Sequence, residues 1–248
     1  MPTVSCNSLQ NINWSPAPNE WGNLSLEVDI WRIPVSNDPQ QLDSLKNILQ
    51  EEELVKAARY HQEKDRRRFI TGRAMLRVIL AKYLRLHPRN IQFEIGSNKK
   101  PFIKNPVLID LKYNISHAGN WILFAIGGSE LGVDVEKIDQ IFFYEEVLPI
   151  SFSDIEINSI ENSSSPRSNF YLYWTRKEAL IKATSQGLDD HLTAVPCMDG
   201  LHTVSEEIAG GIRSWIINSF PVDNDHIASV SYHPEEKTIR FFDADMSI

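Results

Sequence analysis

Two short stretches of this 248-residue chain carry side chains whose types and spacing could do chemistry together. In Gly132-Val-Asp134-Val-Glu136-Lys137, valines alternate with carboxylates. That is the pattern of a strand, on which residues two apart point the same way, so Asp134 and Glu136 share one face. In Trp174-Thr-Arg-Lys177-Glu178-Ala-Leu-Ile-Lys182-Ala, Glu178 and Lys182 are four apart, neighbours on one side of a helix. If strand and helix pack together, three carboxylates and a lysine converge. Three hard oxygen donors with open positions suit Mg²⁺, which keeps waters and takes further ligands from substrate phosphates. Such a site points to phosphoryl-type transfer.

The elements that must position these groups are legible in outline. Val28 to Pro34 alternates and predicts a strand, ended by Pro34 and a polar loop. Gln41 to Gln62 has helical spacing with a break expected near Gln50 to Glu53, and Asp65 to Leu84 predicts a stronger helix with an apolar stripe flanked by arginines. Ile91 to Ile95 reads as a strand, and Asn98-Lys-Lys-Pro101 as a turn into another. Trp121 to Ile126 and Leu131 to Glu136 are apolar runs joined by Gly127-Gly-Ser-Glu130, which predicts a hairpin. Ile138 to Asn158 is mixed, with Phe142, Phe143 and Tyr144 expected in the core, and Glu161 to Arg167 is loop-like. Ser168 to Gln186 predicts a helix with Ser168 as N-cap and Gly187 just past its end. Strands are expected at Ile212 to Ile217, Ala228 to Tyr232 and Thr238 to Phe242. The mixed order, without a βαβ rhythm, predicts an α+β fold with antiparallel sheet.

Composition narrows the function. With 42% hydrophobic residues the chain can bury a core, and no apolar run approaches a membrane span. The lead-in, Met1 to Asn23, reads as irregular and lacks a signal peptide; Cys6 and Cys197 have no metal-ligand spacing, and a reducing cytoplasm is the expected setting. Net charge is −8, yet Lys56 to Arg89 holds eleven basic and two acidic residues, so this island is +9 and the remainder −17. A local basic island suggests an anionic ligand or a docking surface, not an extended nucleic-acid face. There is no P-loop and no dinucleotide-binding glycine fingerprint.

Five motifs in order resemble the Sfp-type 4′-phosphopantetheinyl transferases. They are Arg66-Arg-Arg-Phe-Ile-Thr-Gly72-Arg73, Lys100-Pro101, Tyr113-Asn-Ile-Ser116-His117, Gly132-Val-Asp134-Val-Glu136, and Trp174-Thr-Arg-Lys177-Glu178-Ala-Leu-Ile-Lys182-Ala, spread over residues 56 to 187. The resemblance implies a monomeric pseudo-dimer of two similar α+β halves, 1–127 and 128–248, with the active site between them. The first half would contact coenzyme A, and the second would carry the metal-binding strand and catalytic helix. It implies transfer of 4′-phosphopantetheine from coenzyme A to a serine of an acyl or peptidyl carrier protein, with release of adenosine 3′,5′-bisphosphate.

Asp134, Glu136 and Glu178 would hold Mg²⁺ (Mn²⁺ shares the same hard ligands). Glu178 and Lys182 would be catalytic, and either Glu178 or a metal-bound water would take the serine proton. Lys56, Arg68, Lys100, Pro101, Ser116, His117, Lys177 and Lys182 would contact coenzyme A. Two positions depart from the family pattern: Glu53 stands where a basic residue is expected, and Lys99 stands where the turn usually has glycine. Taken singly, each motif has a plainer reading: Asp-x-Glu as a polar strand face, Glu178 with Lys182 as a helix-surface pair, Trp174 as core. The competing functions are a metal-dependent phosphodiesterase or nuclease and a non-catalytic nucleotide- or carrier-binding module. Neither membrane nor nucleic acid is an expected partner.

Overall fold

The computed structural model describes residues 1–18, 21, 24, 26–96, 100–105, 111–185, 192–235 and 238–247. The chain opens on a strand, β1 (Thr3–Ser8), followed by β2 (Glu27–Pro34) and three helices, α1 (Pro39–Lys46), α2 (Glu51–Ala58) and α3 (Glu63–Leu84). The lead-in is therefore not wholly irregular. Val4 and Cys6 are buried and alternate with polar neighbours, a short period-two signal among prolines and asparagines. The helix break falls between Lys46 and Glu51, where Gln50 and Glu53 form a capping box for α2.

Next come a small hairpin, β3 (Phe93–Ile95) with β4 (Pro101–Ile103), and then β5 (Lys112–Ala118), β6 (Trp121–Gly127) and β7 (Gly132–Lys137). Two short helices, α4 (Leu148–Ser151) and α5 (Asp154–Glu161), lead into the long α6 (Pro166–Thr184). Pro166 opens α6 at its first position, so Ser165 is the cap and the predicted cap, Ser168, lies inside the helix. Gly187 and Lys99 lie outside the described residues. The chain closes with β8 (Gly200–Thr203), α7 (Glu206–Ala209), β9 (Ser214–Pro221), β10 (His226–Tyr232) and β11 (Thr238–Asp243).

The predicted hairpin between residues 121 and 136 does not form. Strand β6 pairs with β5, across a turn in which Gly119 has φ +53°, and with β2, while β7 joins a different sheet beside β10. The Gly127-Gly128 segment is a crossover between sheets. A local glycine turn signal cannot say which distant strand completes a ladder.

One sheet has the order β7-β10-β9-β1-β8 and the other β11-β2-β6-β5. Each takes one terminal strand from the opposite end of the chain, β1 lying parallel to β9 and β11 parallel to β2; the remaining ladders are antiparallel. Val28, Ile30, Leu123 and Ala125 of one sheet meet Val133, Val135, Ala228 and Val230 of the other in a common core. Ile122, Phe124 and Ile126 point the other way, beneath α3. Strand β6 is thus covered on both faces, which is why its run is continuously apolar. The layers are helix, sheet, sheet, helix, and the edges of β5 and β7 come together where the halves meet.

Candidate active site

The carboxylates are positioned by a close helix–strand contact. A Cβ on Gly132 would lie 2.2 Å from the Ala179 carbonyl oxygen and 2.4 Å from the Ala183 nitrogen. Only glycine lets the α6 backbone rest on β7 here. That contact sets Glu178 and Lys182 beside the face of β7 that carries Asp134 and Glu136, while Val133 and Val135 face the intersheet core.

Strand β5 approaches β7 through side chains in place of a ladder. The Asn114 Oδ1 accepts the Val133 N–H at 2.9 Å, and the Ser116 hydroxyl accepts the Val135 N–H at 3.3 Å. Ser116 also donates to Asp134 Oδ1 at 2.9 Å. Lys182 completes the cluster, with its Nζ 2.6 Å from Asp134 Oδ1 and 3.1 Å from the Ser116 oxygen. Sequence reasoning misses Asn114, although it sits inside the Tyr113-Asn-Ile-Ser-His motif. Its amide oxygen takes the place of a strand carbonyl.

The cluster carries more negative charge than its one ammonium can neutralise. Burial, then the nearby Asp134 charge, pushes Glu178 from an ordinary value near 4.5 up to about 7, with Lys182 opposing. Glu136 rises to about 7 for the same two reasons; Glu178 adds to the rise, and Lys182 and a hydrogen bond from Trp174 oppose it. Two carboxylate oxygens, Asp134 Oδ2 and Glu178 Oε1, are buried without a hydrogen-bond partner. Among the described residues, no three acidic, histidine or cysteine side chains are grouped so that they could hold a metal ion as they stand. Lys182 instead occupies one oxygen of Asp134. The donor chemistry nevertheless fits a hard divalent cation: carboxylates only, two bare oxygens, and an uncompensated charge.

The first half supplies the basic side of the site. His117 lies at the exposed end of β5, and its pKa is lowered by partial loss of water and then by the Arg68 guanidinium, with Lys182 adding to the effect. Arg68, half-buried on α3, is paired with Asp65 at 2.7 Å. Lys56 ends α2 exposed, its ammonium 5.2 Å from the ring centre of Phe69, the residue after Arg68. Lys100 ties the halves together, donating to Glu130 at 2.7 Å and to the carbonyls of Leu131 at 3.2 Å and Ala183 at 3.5 Å. With Pro101 it borders a cavity of about 430 Å³, which Tyr113 and Ala183 also line. A larger cavity of about 840 Å³ lies against α3 and residues 244–247, and none of the candidate site residues line it.

Three expectations need correction. Lys177 does not face the site: one residue before Glu178 is 100° around the helix, and its buried ammonium is held by Glu156 at 2.9 Å and by the Leu192 and Val195 carbonyls. Glu53 is no failed phosphate ligand, since it is buried and accepts from Arg73 and twice from Arg77. Phe142 and Phe143 are not core but exposed, whereas Tyr144 is buried against Phe170.

Comparison with known proteins gives the family. Residues 35–128 match the 4′-phosphopantetheinyl transferase N-terminal family model, and residues 130–231 match that of the 4′-phosphopantetheinyl transferase superfamily. The chain is 34% identical over 179 residues to the 4′-phosphopantetheinyl transferase HetI of Nostoc sp., covering 71% of this chain and 76% of that protein. It is 30% identical over 203 residues to a 4′-phosphopantetheinyl transferase of Bacillus subtilis, covering 78% and 86%. To the transferase Sfp of Bacillus subtilis strain 168 it is 26% identical over 202 residues, covering 79% and 88%. With the carboxylates, the lysine and the two-half fold in place, the chain is an enzyme belonging to the Sfp-type 4′-phosphopantetheinyl transferases.

Proposed function

We propose that the protein transfers 4′-phosphopantetheine from coenzyme A to a serine of an apo acyl or peptidyl carrier protein. The observation that carries this reading is the convergence of Asp134, Glu136, Glu178 and Lys182 beside Ser116 and His117, at the seam between two halves of opposite electrostatic character. Residues 1–127 contribute the coenzyme A contacts and 128–248 the carboxylates. Asp134, Glu136 and Glu178 would hold Mg²⁺, which offsets negative charge on the pyrophosphate when bound.

The protein's own groups do the rest. Arg68 and His117 bind coenzyme A phosphate, with Lys56 at their flank. Lys182 exchanges Asp134 for the pyrophosphate, meeting it as a mobile point charge. The carrier serine attacks the β-phosphorus, the bond to the bridging oxygen breaks, and adenosine 3′,5′-bisphosphate leaves. Glu178, whose Oε1 is buried without a hydrogen-bond partner, is the protein's own group for taking the serine proton.

The partner surface lies next to the carboxylates. Ile141, Phe142, Phe143, Ile150 and Ile155, all in the segment that follows β7, are exposed by 43–82%. Phe142 and Trp174 both pack on Phe170, and Trp174 bonds Glu136, so the patch runs into the site. No helix among the described residues is long and apolar enough to cross a membrane. A monomer is what the family resemblance implies, a reducing cytoplasm is the setting expected from the sequence, and both are part of the proposal. Incubating it with coenzyme A, Mg²⁺ and an apo-carrier, then weighing the carrier by mass spectrometry, tests the proposal. The expected result is one phosphopantetheine added per carrier. Coenzyme A cleavage that needs no carrier would replace this reading with a phosphodiesterase.

A further inference from the structure

Beneath α6 the second sheet carries a polar row running across its strands. Asp134 of β7 is paired with Ser229 of β10, Ser229 with Ser219 of β9, and Ser219 with Ser8 of β1. Directly paired residues share a face, so all four point toward the helix. The layers on one side of it are apolar, where Val4, Cys6, Trp215 and Ile217 pack with Leu180 and Ile181. The row is therefore a polar line along the border of that core, and it ends on a candidate metal ligand.

Helix α6 is pinned to that line. The Thr175 and Ser229 hydroxyls are 2.8 Å apart, and those of Ser229 and Ser219 2.9 Å. Arg176, fully buried, donates to Ser219 at 2.8 Å, to Ser8 at 2.9 Å, to Asp199 at 2.6 Å and to the Cys197 carbonyl at 2.6 Å. Thr175, Ser219 and Ser229 are almost wholly shielded from solvent. Buried hydroxyls bring little net stability over well-packed methyl groups, so stability alone does not account for them. Directional bonds supply something an apolar contact does not, which is a fixed register. A slip of one residue along the helix axis moves Glu178 by about 1.5 Å, and Glu178 is only three positions beyond Thr175.

We infer that Thr175 and Ser229 are positioning residues that set the register of α6 on the sheet, and so place Glu178 against Asp134. The inference rests on the transferase reading above. Thr175→Val removes the hydroxyl at nearly constant shape, and Ser229→Ala removes its partner. Each is expected to weaken Mg²⁺ binding about tenfold, in the range seen when groups behind metal ligands are lost. The readout is calorimetric titration of Mg²⁺ into protein saturated with coenzyme A and lacking carrier. Turnover should fall by a similar factor with KM for coenzyme A little changed, and Thr175→Ser, which keeps the hydroxyl, should restore both.

A purely structural role would lower the melting temperature and leave Mg²⁺ affinity and kcat intact well below it. That result, with an active wild type, would overturn the inference alone. A wild type that neither binds Mg²⁺ nor modifies a carrier would overturn the transferase reading and this inference with it. Should Thr175→Val fail to fold, Ser229→Ala with Thr175→Ser still decides the matter. Wild-type Mg²⁺ affinity in Ser229→Ala would refute the inference, and a tenfold loss in Ser229→Ala beside wild-type affinity in Thr175→Ser would support it.

Discussion

Two carboxylates held near neutrality make the site sensitive to protons. Glu136 and Glu178 sit at about 7 in the fold against about 4.5 when exposed. Between those values the native state binds more protons than the unfolded chain, so stability falls as pH rises through this window. Glu178→Gln removes one such group. In a chelator-containing buffer it should melt higher than wild type at pH 8 and lose that advantage at pH 5. The difference should be of order 1–3 kcal/mol, since each tenfold change in proton affinity is worth about 1.4 kcal/mol. An advantage independent of pH would mean that Glu178 does not carry the strain. In activity the order reverses. Glu178→Gln should be the more damaging change, about 100-fold or more in kcat, because it removes both a metal ligand and the base. Lys182→Gln removes one phosphate contact among several, and should cost about tenfold. Rates measured at saturating coenzyme A rank the two. A more crippled Lys182 variant would move the central role to the lysine.

At the scale of elements, the contact of α6 with β7 is the joint on which the site depends. Gly132→Ala puts a methyl group inside the backbone of the helix's last turns. It should destabilise by about 1–3 kcal/mol through overpacking and reduce transfer more than either neighbouring valine changed to alanine. A variant with wild-type melting and turnover would show that the helix can ride higher without consequence. This joint is half-legible in the sequence. The phase of each element is a local property, so Asp134, Glu136, Glu178 and Lys182 fall on the right faces. Pairing is not local. The turn glycines at 127 and 128 suggest that β6 and β7 belong to one ladder, and only the complete set of strands assigns them to different sheets. Strand β1 escapes a reading of the sequence because its apolar signal is two residues, Val4 and Cys6, set among polar ones. Lys177 misleads because a motif names residue types without their helical phase.

For the molecule as a whole, charge is divided between the two lips of the site. The basic island is not one surface, however. Arg77 is buried with Glu53 and the carbonyls of Pro88 and Ile91. Reversing its charge would set a second carboxylate against buried Glu53, leaving Arg73 to oppose both, at a cost of about 3–5 kcal/mol, and would report on folding, not docking. Arg85 is exposed at the left-handed end of α3 and serves as a clean surface probe. The opposite lip is apolar and acidic: Asp139, Glu145, Glu146, Asp154 and Glu161 are all exposed around the patch at 141–155. Phe143→Asp should therefore raise KM for the carrier at least tenfold and leave KM for coenzyme A unchanged, as expected for truncating an exposed aromatic anchor. Equal effects on both substrates would place Phe143 in the fold's own architecture.

The exchange of terminal strands has a practical consequence for anyone cutting the chain. A fragment ending at Gly127 carries β1, which belongs inside the other fragment's sheet, and lacks β11, which pairs with its own β2. Neither piece is a finished domain, and each exposes unpaired strand edges that favour aggregation. Together they hold one another's missing strands. Co-expressed as 1–127 and 128–248, the pieces should assemble into an active heterodimer, whereas each alone should be insoluble or unfolded. A soluble, cooperatively melting 128–248 fragment would count against this. A complementing pair would turn a transferase into a reporter that switches on only where its two pieces meet.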